Sequence, residues 1–184
     1  MSSPRSPLFV MAAALVVCGC GSTPNTPTPT PVDVTGLWAA SATISKAVGG
    51  DCVGPTISQS MIGVVRAYSI QLAQVGTTVT GSVTNQATGG IWTVEGTVSG
   101  GSIIGSSVLL HSTSSTNGPQ LGFTCSDGSI RDMIPLSLAI TVTITSKNAT
   151  SGTYTEDSNI NIEPGGSQIT TGGLRLTSNL TMSR

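Results

Sequence analysis

The stretch "PLSLAITVTIT", Pro135 to Thr145, places apolar side chains at every second position: Leu136, Leu138, Ile140, Val142 and Ile144. Ser137, Thr141, Thr143 and Thr145 fall between them. Successive side chains of a strand point to opposite faces, so this pattern gives one apolar face for a core and one hydroxyl-rich face for water. A helix would repeat its apolar residues every third or fourth position instead. One packed face and one wet face is the arrangement of an antiparallel sheet.

The same alternation extends in both directions and predicts strands near 34–45, 65–75, 78–84, 91–98, 102–111, 136–146, 149–157 and 172–182. Most joints are short. "QVGTTVTG" from Gln74, "VSGGSI" from Val98 and "TSKNATSG" from Thr145 are rich in Gly, Ser, Asn and Thr, which tolerate turn geometry. Two joints are longer, residues 46–64 and 112–135, and "PTISQSMIG" from Pro55 in the first suits one or two helical turns. Eight strands joined consecutively form a meander, and closure into an antiparallel up-and-down barrel removes its free edges. The fold class expected is therefore all-β, with an open β-sandwich as the alternative. Trp92 shares a strand face with Val94 and Val98 and is expected in the core.

"VTGLW", Val34 to Trp38, resembles the Gly-x-Trp motif on the first strand of lipocalins and their calycin relatives. The resemblance implies that Gly36 and Trp38 stand where one end of the barrel closes, with an arginine of the last strand packed across the ring. Arg175 in "LRLTSNL" is the candidate for that arginine. It also implies a small apolar molecule held inside. The lining would be Leu136, Leu138, Ile140, Val142, Leu174, Leu176 and Leu180, without a charge. The other reading, of a different class, is a non-catalytic envelope or surface protein whose loops meet another protein, its barrel filled by its own side chains.

The start of the chain gives an address. One cation, Arg5, precedes "LFVMAAALVV", Leu8 to Val17, ten residues without a polar side chain. That is half of what a spanning helix needs and is the length of a secretory core. "VCGC", Val17 to Cys20, resembles the lipobox of bacterial lipoproteins, and Gly19 supplies the small residue wanted before the cleavage point. The resemblance implies cleavage after residue 19 and acyl chains on Cys20. "STPNTPTPTP" then follows as a spacer, since alternating proline keeps the backbone extended. The expected division is a signal at 1–19, a lipidated cysteine and Pro/Thr linker at 20–32, and one barrel domain at 33–184. Gly21 stands where an aspartate would retain such a protein at the inner membrane, so the bacterial outer membrane is the expected location.

Once Arg5 leaves, six cations face eight acids, and no cluster of Lys and Arg offers a surface for nucleic acid. The two cysteines of the exported domain, Cys52 and Cys125, are expected to pair, one from each long joint. Closing a loop of some seventy residues stabilises a fold by about 4 kcal/mol on the chain-entropy model.

Signs of catalysis are sparse. His111 lies beside "STSST", but a nucleophile needs a positioned base, an orienting acid and an oxyanion site. Glu156, Asp157 and Glu163 are candidates for paired-carboxylate chemistry and are read as a solvated turn. No strand-to-helix phosphate loop is present. No enzyme activity, cofactor or metal is expected; the partners expected are a membrane reached through the lipid, a small apolar ligand, and an envelope protein.

Overall fold

A computed structural model describes residues 30–116, 122–161 and 170–184. The expected signal, Cys20, most of the expected linker and Glu163 lie outside the described residues. The chain runs β1 (Gly36–Gly49), α1 (Gly54–Met61), β2 (Val65–Val75), β3 (Thr78–Asn85), β4 (Ile91–Ser99), β5 (Ser107–Thr116), β6 (Gly122–Thr124), β7 (Ile130–Ser146), β8 (Ala149–Asn161) and β9 (Thr170–Ser183).

Neighbouring strands follow the order β5-β4-β3-β2-β1-β9-β8-β7, and β5 pairs back to β7 from Ser107 opposite Thr143 to His111 opposite Ala139. That pairing closes an eight-stranded antiparallel up-and-down barrel of lipocalin-like form, with the last strand beside the first. Where the closing ladder ends, the Leu138 amide donates to Ser112 Oγ at 2.9 Å and carries the seam one step further. The short β6 pairs only with the first residues of β7 and stands outside the barrel proper. At Gly152 a Cβ would fall 2.0 Å from the Thr141 carbonyl oxygen, so the close approach of β7 and β8 there requires glycine.

The two ends of the barrel differ. The Trp38 end carries the β2–β3, β4–β5 and β7–β8 turns together with Val34, bonded to Gln74, and Arg184. The loop end carries α1, β6 and a Cys52–Cys125 disulfide that joins the two long connections across 73 positions of sequence. There Ile44, Val53, Leu174 and Leu176 pack with the disulfide, and Ile57, Met61, Phe123 and Met133 cover them. The larger cluster of buried side chains packs around Trp38, Ile70, Val83, Trp92, Leu110 and Ile140.

The strand pattern needs two corrections. The fifth strand is Ser107–Thr116, not 102–111, because Gly100 and Gly105 hold φ of +101° and +89° and turn the segment between them into a loop. The threonine- and serine-rich "HSTSST" is its second half, so β-branching outweighs polarity there. The long joints are correspondingly shorter, since β1 runs to Gly49 and β7 begins at Ile130.

Candidate functional site

Closure of the Trp38 end is built from the segment before β1 and the residue after β9. Val34 is buried, its amide donates to Gln74 Oε1 at 2.8 Å, and its carbonyl accepts the Trp38 indole Nε1–H at 2.9 Å. Val32 packs on the same core, so the strap that leads into β1 includes it. Over the Trp38 ring, 4.5 Å from its centroid, lies the guanidinium of Arg184. It donates to the carbonyls of Thr35 at 2.7 Å, Asp33 at 3.2 Å and Lys147 at 3.1 Å. A cation over an indole face, with its remaining N–H groups on main-chain oxygens, clamps strap, barrel and the β7–β8 turn together.

Arg175 does not take that place. It lies near the start of β9, at the loop end, opposite Val48 rather than near Trp38. Its neighbours Leu174 and Leu176 point inward, so its own side chain points out, where Nε and Nη2 donate to the Asp157 carboxylate at 2.6 and 3.0 Å. The pair holds the Asp157 carboxyl below its ordinary value. Position parity gives the distinction: Arg184 keeps the even register of Leu174, Leu176 and Leu180, and Arg175 breaks it.

Inside the barrel the lining is not uncharged, as the apolar reading expected. Glu156, read as part of a solvated turn, lies mid-strand on β8 with its side chain inward and 8% exposed. Its Oε2 accepts from Tyr154 Oη at 3.1 Å and from Arg66 Nη1 on β2 at 3.3 Å. The Tyr154 ring meets the Tyr68 ring at 4.9 Å between centroids. The Tyr68 hydroxyl is buried and has no hydrogen-bond partner among the described residues. Burial pushes the Glu156 carboxyl up against the opposing pull of Arg66 and Tyr154. The same burial, with the Glu156 charge beside them, raises both phenols. Periodicity held the signal for this layer, because Tyr154, Glu156 and Ser158 share one face; acidity alone suggested a surface.

Of the expected lining, Leu138, Ile140, Val142, Leu174, Leu176 and Leu180 point inward, each 3% exposed or less. Leu136 does not. A register shift between Pro135 and Ser137 turns it outward, 54% exposed. There it borders an open groove of about 540 Å³ at the loop end, with Val48, Gly50, Asp157, Leu174 and Arg175.

Trp92 is in the core as expected. His111 stands on the outer wall opposite Glu95, Nε2 to Oε1 3.3 Å, and no serine nucleophile is bonded to it among the described residues. Asp127 bonds Ser129 and ion-pairs with Arg131 in the β6–β7 turn. Among the described residues no group of three or more His, Cys, Asp and Glu could hold a metal. Compared with known proteins, the chain matches no family model and no curated relative, so its likeness to lipocalins consists of the Gly-x-Trp start and the closed meander.

Proposed function

We propose that this is a lipid-anchored bacterial envelope protein, held at the outer membrane through Cys20, whose barrel is a non-catalytic scaffold that meets a partner through its loop end. The observation that carries the reading is the burial of the six inward leucine, isoleucine and valine residues of the expected lining at 3% exposure or less. A space of several hundred Å³, the size of a small-molecule site, would leave its walls open to a water-sized sphere. The barrel interior is instead its own core. At the loop end the balance differs: Val48 and Leu136 are about half exposed beside the Asp157–Arg175 pair, a mixed apolar and charged rim of the kind proteins use for contact. The disulfide stiffens that rim and suits an oxidising compartment.

A second reading, an amphipathic ligand reaching the inner layer, draws on the unpartnered Tyr68 hydroxyl beside Glu156. A photo-crosslinking residue at Leu136 separates the two in intact cells. A discrete protein adduct, absent when the crosslinker replaces the outward Thr141, supports the scaffold reading; adducts at neither position overturn it. Intact mass of membrane-extracted protein tests the anchor, with acyl mass on a chain beginning at Cys20 expected and an unmodified chain contradicting it.

A further inference from the structure

Three branched apolar side chains stand in water at the tips of the Trp38 end, the anchor end on the reading that Cys20 is lipidated. Val75 is 84% exposed at the β2–β3 turn, and Ile103 and Ile104 are 51% and 70% exposed in the β4–β5 loop. None belongs to either core cluster. The turns are neighbours on the rim. The Val98 amide donates to the Thr77 carbonyl, which sets the β2–β3 turn beside β4, and the Gly105 amide donates to Ile144, which sets the β4–β5 loop beside β7. Next along the rim is the β7–β8 turn with exposed Lys147, followed by Arg184. Asp33 is the one side-chain carboxylate among the described residues of this end, and it accepts from the Thr35 amide at 2.8 Å. Turn tips are ordinarily polar, so isoleucines at a tip, flanked by cations, need a surface to meet.

The chain's own route says which surface. The described residues begin at Thr30, two positions before Val32, which packs on the core, and four before Val34, whose amide is bonded to Gln74 beside the β2–β3 turn of this end. Cys20 is ten positions before Thr30, a reach of at most about 36 Å when fully extended. An acyl anchor there therefore keeps the anchor end, and not the loop end, next to the bilayer.

We propose that the anchor end docks on the lipid surface, with Val75, Ile103 and Ile104 entering the headgroup boundary and Lys147 lying over anionic headgroups. The proposal rests on the reading that Cys20 is lipidated. Aliphatic tips leave water at that boundary while a nearby ammonium stays among phosphates, the division of labour used by interfacial segments generally. Docking fixes the barrel axis upright and turns the groove at Leu136 away from the membrane.

The full mature protein, purified with its native anchor, tests this on vesicles of acyl-brominated phosphatidylcholine and phosphatidylglycerol. Ile104→Trp reports the tip, and Ile62→Trp, half exposed at the opposite end, is the control. Flotation with the vesicles is read first. Expected are flotation of both variants, a blue shift and quenching of the emission added by Ile104→Trp, and neither change for Ile62→Trp. Flotation without quenching at residue 104, or with equal quenching at 62, overturns docking and leaves the anchor standing. Failure to float overturns the anchor, and docking falls with it.

Discussion

Replacing Val142 by tryptophan separates a filled barrel from a hollow one. Val142 points inward from β7, is 2% exposed, and sits between Val108 on β5 and Gly152 on β8. Its same-face neighbours Val108, Ile140 and Ile144 are each 2% exposed or less, so an indole must displace packed side chains. Overpacking of this kind costs about 1–3 kcal/mol. The opposite change, Val142→Ala, removes two methyl groups and leaves a void, at roughly 2 kcal/mol. Against a domain stability of about 5–15 kcal/mol, either loss shifts a urea midpoint measurably. The assay is equilibrium unfolding by circular dichroism with the disulfide kept oxidised. A packed interior predicts that both variants unfold at lower urea with an unchanged slope. Full stability of Val142→Trp would refute the reasoning, because the indole would have found space that the burial of its neighbours denies.

Other expected outcomes follow from the same contacts. Arg184→Met removes the cation above Trp38 and three carbonyl contacts, costs about 1–2 kcal/mol, and shifts the tryptophan emission; Arg175→Met leaves both stability and emission nearly unchanged. Cys52→Ala with Cys125→Ala loses about 4 kcal/mol on the chain-entropy model, and dithiothreitol lowers the melting temperature of the native protein but not of the double variant. Glu156 titrates near 4.5 when unfolded and higher when folded, so the folded state holds its proton more tightly and stability falls as pH rises from about 4.5 through the folded value. Glu156→Gln keeps an acceptor for Tyr154 and abolishes that slope, as a stability-versus-pH series would show; Asp157, held low by Arg175, acts only in more acid solution.

Period-two alternation made the barrel legible, because a strand with one buried face has no other way to arrange its side chains. It failed where the backbone departs from regular pleating. Leu136 is the clear case: a bulge beside Pro135 breaks parity, and no apolar count reveals which residue a bulge will turn outward. The arginine over Trp38 was misplaced for a different reason. The lipocalin analogy asks for an arginine on the last strand, Arg175 is on it, and only the inward parity of Leu174 and Leu176 points to Arg184 instead. Glu156 was hidden by its type, since a carboxylate reads as surface until Arg66, ninety positions away in sequence, is brought to the level of Glu156 and its strand neighbour Tyr154. The Cys52–Cys125 pair was readable because, outside the expected signal and anchor, the sequence holds two cysteines, one in each long joint.

Titration of the tag-free barrel domain, residues 33–184, with fluorescent fatty acids of graded chain length tests the central claim, that the barrel is its own core, most directly. The account predicts no saturable binding at any length, in the wild-type chain and in Val142→Trp alike. Saturable binding with unit stoichiometry to the wild-type chain, abolished by Val142→Trp, would contradict it and make the interior a carrier site.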